Sequence, residues 1–449
     1  MHFTGKPSPE KPQETIPLAM DPLYGLYKTL TSGLFMAAFP PFWLYTRFSG
    51  RYRKGLKERL GFVPPGTVER LRGSPRIWMH AVSLGEVKAA SAIYRALVPL
   101  VSECTVIIST TTEHGLELAR ENFQGVPVIF APMDAFFCVR KALSTIRPDV
   151  MVFLETEIWP AWLHEAKKAG ARIAMLNGRI SPRSIKTYVK LRPFLREVLK
   201  KPDIFSMIRE DDARRIVSMG ADPDKVVVNG NAKYDLLADQ VDPDAAEEMQ
   251  RSLNLEVSQK IFVAGSTRGG EEELILEVYE KILKTFPDLL LFIAPRHIDR
   301  TPVIESLLRT RGHAYQLRSV IKERGDKRTA SVVIMNTFGE LFKLYGIGTI
   351  NFCGASLVSL GGQNPLEPAA WGKAAFYGPS MEDFLDATDL LESVGGGIQV
   401  SSPADFAEKA LWFLTHPEEL EDRGANAGEA LMQNRQSAEK HARVIVKLL

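Results

Sequence analysis

At 449 residues, 45% of them hydrophobic and 24% charged, the chain has the make-up of a folded globular protein too long for one ordinary core, so two domains are expected. A formal net charge of +2 offers no whole-chain attraction for nucleic acid; no nucleic-acid partner is expected, and any basic surface has to be local. The three cysteines, Cys104, Cys138 and Cys353, are odd in number, widely spaced and without metal-ligand spacing, which points to buried thiols in a reducing compartment and to no metal site.

Residues 1–20 are rich in Pro, Lys and Glu without apolar periodicity and read as a disordered extension. Residues 21–60 read as a membrane anchor with a basic flank. Within them, 29–46 (TLTSGLFMAAFPPFWLYT) carries no charge and is followed by Arg47, Arg51, Arg53, Lys54, Lys57 and Arg59. No small-residue cleavage site follows, so this is not a cleavable signal peptide. A transmembrane helix needs roughly 20 apolar residues, and Pro40-Pro41 interrupts this run. A marginal span or a hairpin-like interfacial anchor is expected, against the alternative of a helix packed on the body. The basic flank would set the following domain on the cytoplasmic side, near anionic lipid headgroups.

From Arg76 the chain alternates short apolar runs with amphipathic segments of helix length. The runs are 76–83, 104–110, 126–132, 149–156, 172–178, 203–208 and 225–230. Their nearly continuous hydrophobicity fits parallel strands buried on both faces. Residues 61–234 are therefore expected to form one Rossmann-like α/β domain. A polar stretch, 235–258, reads as an interdomain linker. The alternation then restarts with runs at 260–266, 288–295, 331–337, 349–356, 374–379 and 397–402, giving a second Rossmann-like domain over 259–449, closed by C-terminal helices. No G-x-G-x-x-G follows an early strand and no Walker A motif is present, which disfavours a dinucleotide dehydrogenase.

Ligands of open α/β sheets sit beyond the carboxyl ends of the strands. The first domain offers His80, Ser83, Gly85 and Glu86, then Glu155 and Glu157, Asn177, Arg179 and Ser181, and Asn231 and Lys233 there. The second offers Ser266, Thr267 and Arg268, Arg296 and His297, Asn336 to Glu340, and Asn364 to Glu367. Acids mark the first set; cations, amides and helix starts mark the second. That split suits an anionic nucleotide on the second domain and a catalytic base on the first. Each residue has a structural alternative. Glu86 could complement a helix dipole, and Glu155 and Glu157 could cap the helix beginning near Trp159. In the stretch 360–368 (LGGQNPLEP), Asn364 suits an N-cap, Pro365 the first helical position and Glu367 a capping-box acid.

Taken together, HAVSLGE (80–86), FLETEIWP (153–160), LNGRIS (176–181), GNAKYD (230–235), APRH (294–297), FGEL (338–341) and GGQNPLEP (361–368) resemble the 3-deoxy-D-manno-octulosonic acid (Kdo) transferases of lipopolysaccharide synthesis. The resemblance runs from about residue 23 to near the C-terminus and includes the apolar segment with its basic flank. It implies a two-domain GT-B glycosyltransferase, inverting and without a metal cofactor, with CMP-Kdo as donor and a lipid A precursor (lipid IVA) as acceptor at the cytoplasmic face of the inner membrane. By matching positions, Glu86 would accept the proton, and Glu155 and Lys233 would stabilise the transition state. Pro295, Arg296, Phe338, Gly339, Glu340, Asn364, Pro365, Leu366 and Glu367 would contact CMP. The sequence departs from the family pattern at Asn336, where an Asp is usual, at Gln363, where a His is usual, and at Asp383, where an Asn is usual. Two other readings stand beside this one: a GT-B transferase for another nucleotide sugar, and an inactive membrane-associated binding protein.

Overall fold

The computed structural model describes residues 22–49, 55–101, 103–182, 184–256, 258–325 and 327–449; the expected extension 1–20 and Arg51, Arg53 and Lys54 of the basic flank lie outside them. Each apolar run of the first half contains one strand of a single sheet: β1 (Arg76–His80), β2 (Thr105–Thr110), β3 (Val128–Phe130), β4 (Val150–Leu154), β5 (Arg172–Gly178), β6 (Ile204–Met207) and β7 (Val226–Val228). Their order is β3-β2-β1-β4-β5-β6-β7. The second half builds β8 (Ile261–Thr267), β9 (Leu290–Pro295), β10 (Tyr315–Leu317), β11 (Val332–Ile334), β12 (Ile350–Cys353), β13 (Ala375–Tyr377) and β14 (Gly397–Gln399). These run in the order β10-β11-β9-β8-β12-β13-β14. Every pairing in both sheets is parallel.

Successive residues of one strand feed opposite cores, which explains the unbroken hydrophobicity of the runs. Ile77 and Met79 of β1 face a core shared with Val87, Ala90 and Ile93 of the helix Leu84–Leu97. Trp78, between them, faces a second core with Phe153 and Trp162. In both sheets the chain order reverses beside the first strand, between β1 and β4 and between β8 and β12. Such a reversal is where open α/β sheets form a ligand crevice, beyond the carboxyl ends of the strands.

Two expected boundaries move. The polar stretch 235–258 is not an extended linker: it carries most of the helix Lys233–Asp239 and all of the helix Pro243–Ser252. Leu236 packs on the first domain's core, whereas Tyr234, Leu237, Met249 and Leu253 pack on the second's. The crossing therefore falls within the helix Lys233–Asp239, and the polar composition belongs to the outer faces of amphipathic helices. The second domain also ends earlier than 449. The last helix, Ser437–Leu448, returns to the first domain, where Ala438, Ala442, Val444 and Ile445 are buried. Its His441 is buried there between Ser206 Oγ at 2.8 Å and the Gly230 carbonyl at 3.0 Å.

The apolar N-terminal segment lies in one helix, Pro22–Ser49, that runs through Pro40-Pro41 without folding back as a hairpin. Both prolines are exposed, so the carbonyls that they leave without partners need not be buried. Among the described residues no helix is long and apolar enough to cross a membrane. The first half of this helix docks on the body: Tyr24 stacks on His164 at 3.9 Å, Tyr27 donates to Asp134 at 3.1 Å, and Phe35 meets the edge of Phe137 at 4.8 Å. Of the basic flank, Arg59 turns inward rather than toward a bilayer. Its guanidinium covers the Phe130 ring at 4.4 Å and donates to the Thr111 carbonyl at 2.7 Å.

Candidate active site in the interdomain cleft

The first wall of the cleft is the reversal between β1 and β4. After β1, Ser83 caps the helix Leu84–Leu97, its Oγ accepting from Glu86 N, while the Glu86 carboxylate accepts from Val82 N at 2.8 Å and from Ser83 Oγ at 2.8 Å. This is a variant of the capping box, with the acid on the amide one residue before the cap, and it fixes the Glu86 side chain where it is 5% exposed. A helix start alone would favour the ionised form. Burial wins: it pushes the carboxyl up to about 7, the nearby Glu157 adds to the rise, and the two hydrogen bonds only partly offset it.

Glu155 follows β4 with φ of +56°, a left-handed conformation uncommon outside glycine. That turn sends its carboxylate to Lys233 Nζ, 2.5 Å away. Lys233 begins the helix that straddles the domain junction, and its ammonium lies over Gly85: a side chain there would place a Cβ 3.2 Å from Nζ. Glu86, Glu155 and Lys233 therefore converge from three loops. Neither Glu155 nor Glu157 caps the helix Pro160–Lys168. Asp134 does so, accepting from Ala161 N and Trp162 N, while Glu157 accepts from the indole N–H of Trp159. His80 is packed away from the site, stacked on Trp162 at 4.7 Å with its Nδ1 on Ser109 Oγ; burial lowers it to about 4 and keeps it neutral.

The second wall is the reversal between β8 and β12. Arg296 follows Pro295 at the end of β9, anchored by its N–H on the Thr267 carbonyl at 2.9 Å, with its side chain exposed. The loop after β12 is clamped from below by Glu271, a fully buried carboxylate that accepts from Ala355 N, Ser356 N and Leu357 N at 2.6, 3.0 and 3.0 Å. The helix Leu366–Ala370 starts one residue later than expected: Pro365 is its N-cap, and Asn364 Oδ1 accepts from Leu366 N at 3.2 Å. Glu367 forms no capping box. Its carboxyl is raised by burial, and the charges of Lys88 and Arg296 offset that rise only in part. Lys88 comes from the first domain, on the helix that carries Glu86, so the two walls meet electrostatically at Glu367.

The Phe338-Gly339 turn after β11 is exposed, with Phe338 84% accessible. Glu340 beside it is engaged already, its carboxylate held by Arg318 at 2.8 Å and by the Thr337 hydroxyl. With Glu340 engaged, the backbone of that turn and the exposed Phe338 ring are left to face a ligand. The three departures from the family pattern have local accounts. Asn336 accepts from Ser319 N and donates to Ser319 Oγ, each at 2.9 Å, and an Asp could not make the donation. Gln363 donates to the neighbouring Gly362 carbonyl. Asp383 uses its backbone, donating N–H to Gly361 O at 3.0 Å and accepting from Arg179 of the first domain at 2.8 Å. Lys88 and Glu271 escaped the sequence reading. Lys88 is one exposed lysine among many, and Glu271 sits in a run of three glutamates that looks like ordinary helix-start charge.

Residues 54–236 match the family model of 3-deoxy-D-manno-octulosonic-acid transferase (kdotransferase). The chain is 32% identical to a 3-deoxy-D-manno-octulosonic acid transferase of Haemophilus influenzae over 86% of its own length and 90% of the relative's. It is 30% identical to a probable mitochondrial 3-deoxy-D-manno-octulosonic acid transferase of Arabidopsis thaliana, over 89% and 90% of the two chains. Among solved structures, a glycosyltransferase from Rickettsia africae superposes with a TM-score of 0.56 over 83% of this chain and 98% of that one; at 15% identity the likeness is one of fold. Sustained identity along most of both chains, on a two-domain parallel α/β fold, places this protein in the Kdo transferase family and makes it a glycosyltransferase.

Proposed function

We propose that this glycosyltransferase moves Kdo from CMP-Kdo to a hydroxyl of a lipid A precursor, with inversion and without a metal cofactor. The observation that carries the reading is the poised carboxyl of Glu86 beside the Lys233–Glu155 ion pair on one wall, with Arg296 and Glu367 on the other. A sugar hydroxyl needs a positioned base as it attacks, and a carboxyl near 7 suits that task at neutral pH. In the step proposed, the acceptor oxygen bonds to the anomeric carbon of Kdo as the bond from that carbon to the CMP phosphate breaks. The hydroxyl proton passes to Glu86, and the electron pair of the broken bond leaves with CMP. Arg296 and Lys233 meet the charge that develops on the phosphate. Glu155 aims Lys233, and Glu367 is suited to receive hydroxyls of the ribose.

The acceptor side is proposed to work at the cytoplasmic face of the inner membrane. Leu26, Leu30 and Leu34, spaced by one helical turn on the helix Pro22–Ser49, are 57, 62 and 70% exposed. Tyr24, Tyr27 and Phe35 of the same helix dock on the body, so the support is for a helix held on the protein with exposed leucines free to meet anionic lipids. The donor assignment is tested by thermal midpoints with CMP and with UDP, since a ligand raises the midpoint by mass action. A rise with CMP alone is expected; a rise with UDP and none with CMP would move the protein to another nucleotide sugar.

A further inference from the structure

Lys233 owes its place to its neighbours in sequence. The Ala232 N–H donates to Asn177 Oδ1 at 2.8 Å, and the Lys233 N–H donates to Asn231 Oδ1 at 3.1 Å. Asn231 then donates its Nδ2 to Asp386 Oδ2 at 2.9 Å, and the buried Tyr234 donates its hydroxyl to the same oxygen at 2.5 Å. The residues flanking the lysine are thus held by one carboxylate, and that carboxylate belongs to the other domain. It sits in the first turn of the helix Leu385–Ser393. The turn just before this helix holds the glycine loop of the nucleotide side: Ser380 Oγ accepts from Gly361 N at 3.0 Å, and Asp383 N donates to Gly361 O at 3.0 Å. Gly361 has φ of +88°, and a side chain there would collide with the Asp383 carboxylate, so loop and turn are fitted to each other.

The structure assigns to Asp386 a positioning role in the transfer reaction. By accepting from Asn231 and Tyr234 it sets the ammonium of Lys233 against Glu155 and beside Glu86, and through the Ser380–Asp383 turn it ties that placement to the loop that carries Gly361. This rests on the reading of Lys233 as a group that acts on the reacting phosphate. The physical basis is the strength of hydrogen bonds to an ionised acceptor in a partly buried place. A second interdomain pair, Arg209 with Asp389 at 2.5 Å, lies one turn further along the same helix; Arg209 reaches Tyr234 through its charge, and Asp389 supplies none of the hydrogen bonds described for residues 231–234. Asp389 is 65% exposed and serves as the control for a general loosening of the domains.

The test uses full-length Asp386→Asn, Tyr234→Phe, Asp389→Asn, Lys233→Ala and the double variant Asp386→Asn with Lys233→Ala. Transfer from CMP-Kdo to a lipid A precursor is followed with the donor varied. Asp386→Asn is expected to lower kcat at least about tenfold, up to roughly 10²-fold as for a displaced catalytic group, with donor KM within about threefold. Tyr234→Phe, which removes one of the two donors, is expected to fall between this and wild type, and Asp389→Asn to stay within about twofold. In the Lys233→Ala background the Asp386 change should cost nothing more. A crystal structure of Asp386→Asn should show Lys233 Nζ withdrawn beyond hydrogen-bond distance from Glu155. Wild-type kcat in Asp386→Asn, an equal loss in Asp389→Asn, additivity in the double variant or an unmoved Lys233 would each overturn the proposal. Should Asp386→Asn fail to fold, full kcat in Tyr234→Phe would do the same. Full activity of Lys233→Ala would instead remove the role of Lys233 itself.

Discussion

Replacing Glu86 with Gln separates its part in folding from its part in chemistry. Gln still fits a capping box, so the helix start is kept. What is lost is the ionised carboxylate in a buried place. A carboxyl raised from 4.5 to about 7 costs the folded state about 3 kcal/mol once it is ionised. The sign follows from proton binding. Between pH 4.5 and 7 the unfolded chain releases this proton while the folded protein still holds it, so the stability of wild type falls through that window and levels off above it. Glu86→Gln escapes that fall. Its unfolding free energy from thermal or denaturant melts should exceed that of wild type at pH 8, by an amount approaching about 3 kcal/mol. At pH 5 the gap should shrink to under about 1 kcal/mol. Turnover should drop by about 10²-fold or more, the usual loss when a general base is removed. Equal gaps at the two pH values, or a variant less stable at both, would refute the claim that burial sets the state of Glu86.

The pH dependence of wild type follows from the same group: kcat/KM should rise with pH and reach its plateau above about 7. Glu157→Gln removes the like charge that helps to raise Glu86 and should move that rise to lower pH, as a pH–rate profile would show. Lys233→Ala and Glu155→Ala should each lower kcat, and because the two side chains form one ion pair, the double variant should be little worse than the poorer single one in a double-mutant cycle. Leu30→Glu with Leu34→Glu puts charge on the exposed face of the N-terminal helix. It should release the protein from vesicles containing anionic lipid in a flotation assay while leaving its unfolding free energy within about 0.5 kcal/mol of wild type.

The strands were legible because burial on both faces leaves a run such as Val150–Leu154 without a polar residue. The strand Tyr315–Leu317 was not. Its side chains are only partly buried at the sheet's edge, so nothing in its hydrophobicity marks it off from the helices around it. The return of the last helix to the first domain was illegible for another reason. Its apolar stripe, with Ala438, Ala442 and Ile445, says that it packs, and says nothing of where. At the site, the motifs gave Glu86, Glu155 and Lys233 as candidates, and the fold adds that they meet. Glu86 and Glu155 follow β1 and β4, which are far apart in sequence but adjacent in the sheet where the chain order reverses. Lys88 and Asp386 stayed hidden, since each acts across a domain boundary and single exposed or helix-start charges are common in any sequence.

The measurement that tests the central claim most directly is transfer itself. The protein, in the presence of a chelator, is given freshly made CMP-Kdo and a tetraacylated lipid A precursor, and the lipid is weighed by mass spectrometry. The account predicts lipid heavier by one or more Kdo residues, with CMP released in equal number. Unchanged lipid from folded protein, under conditions in which Glu86 is ionised, would contradict it.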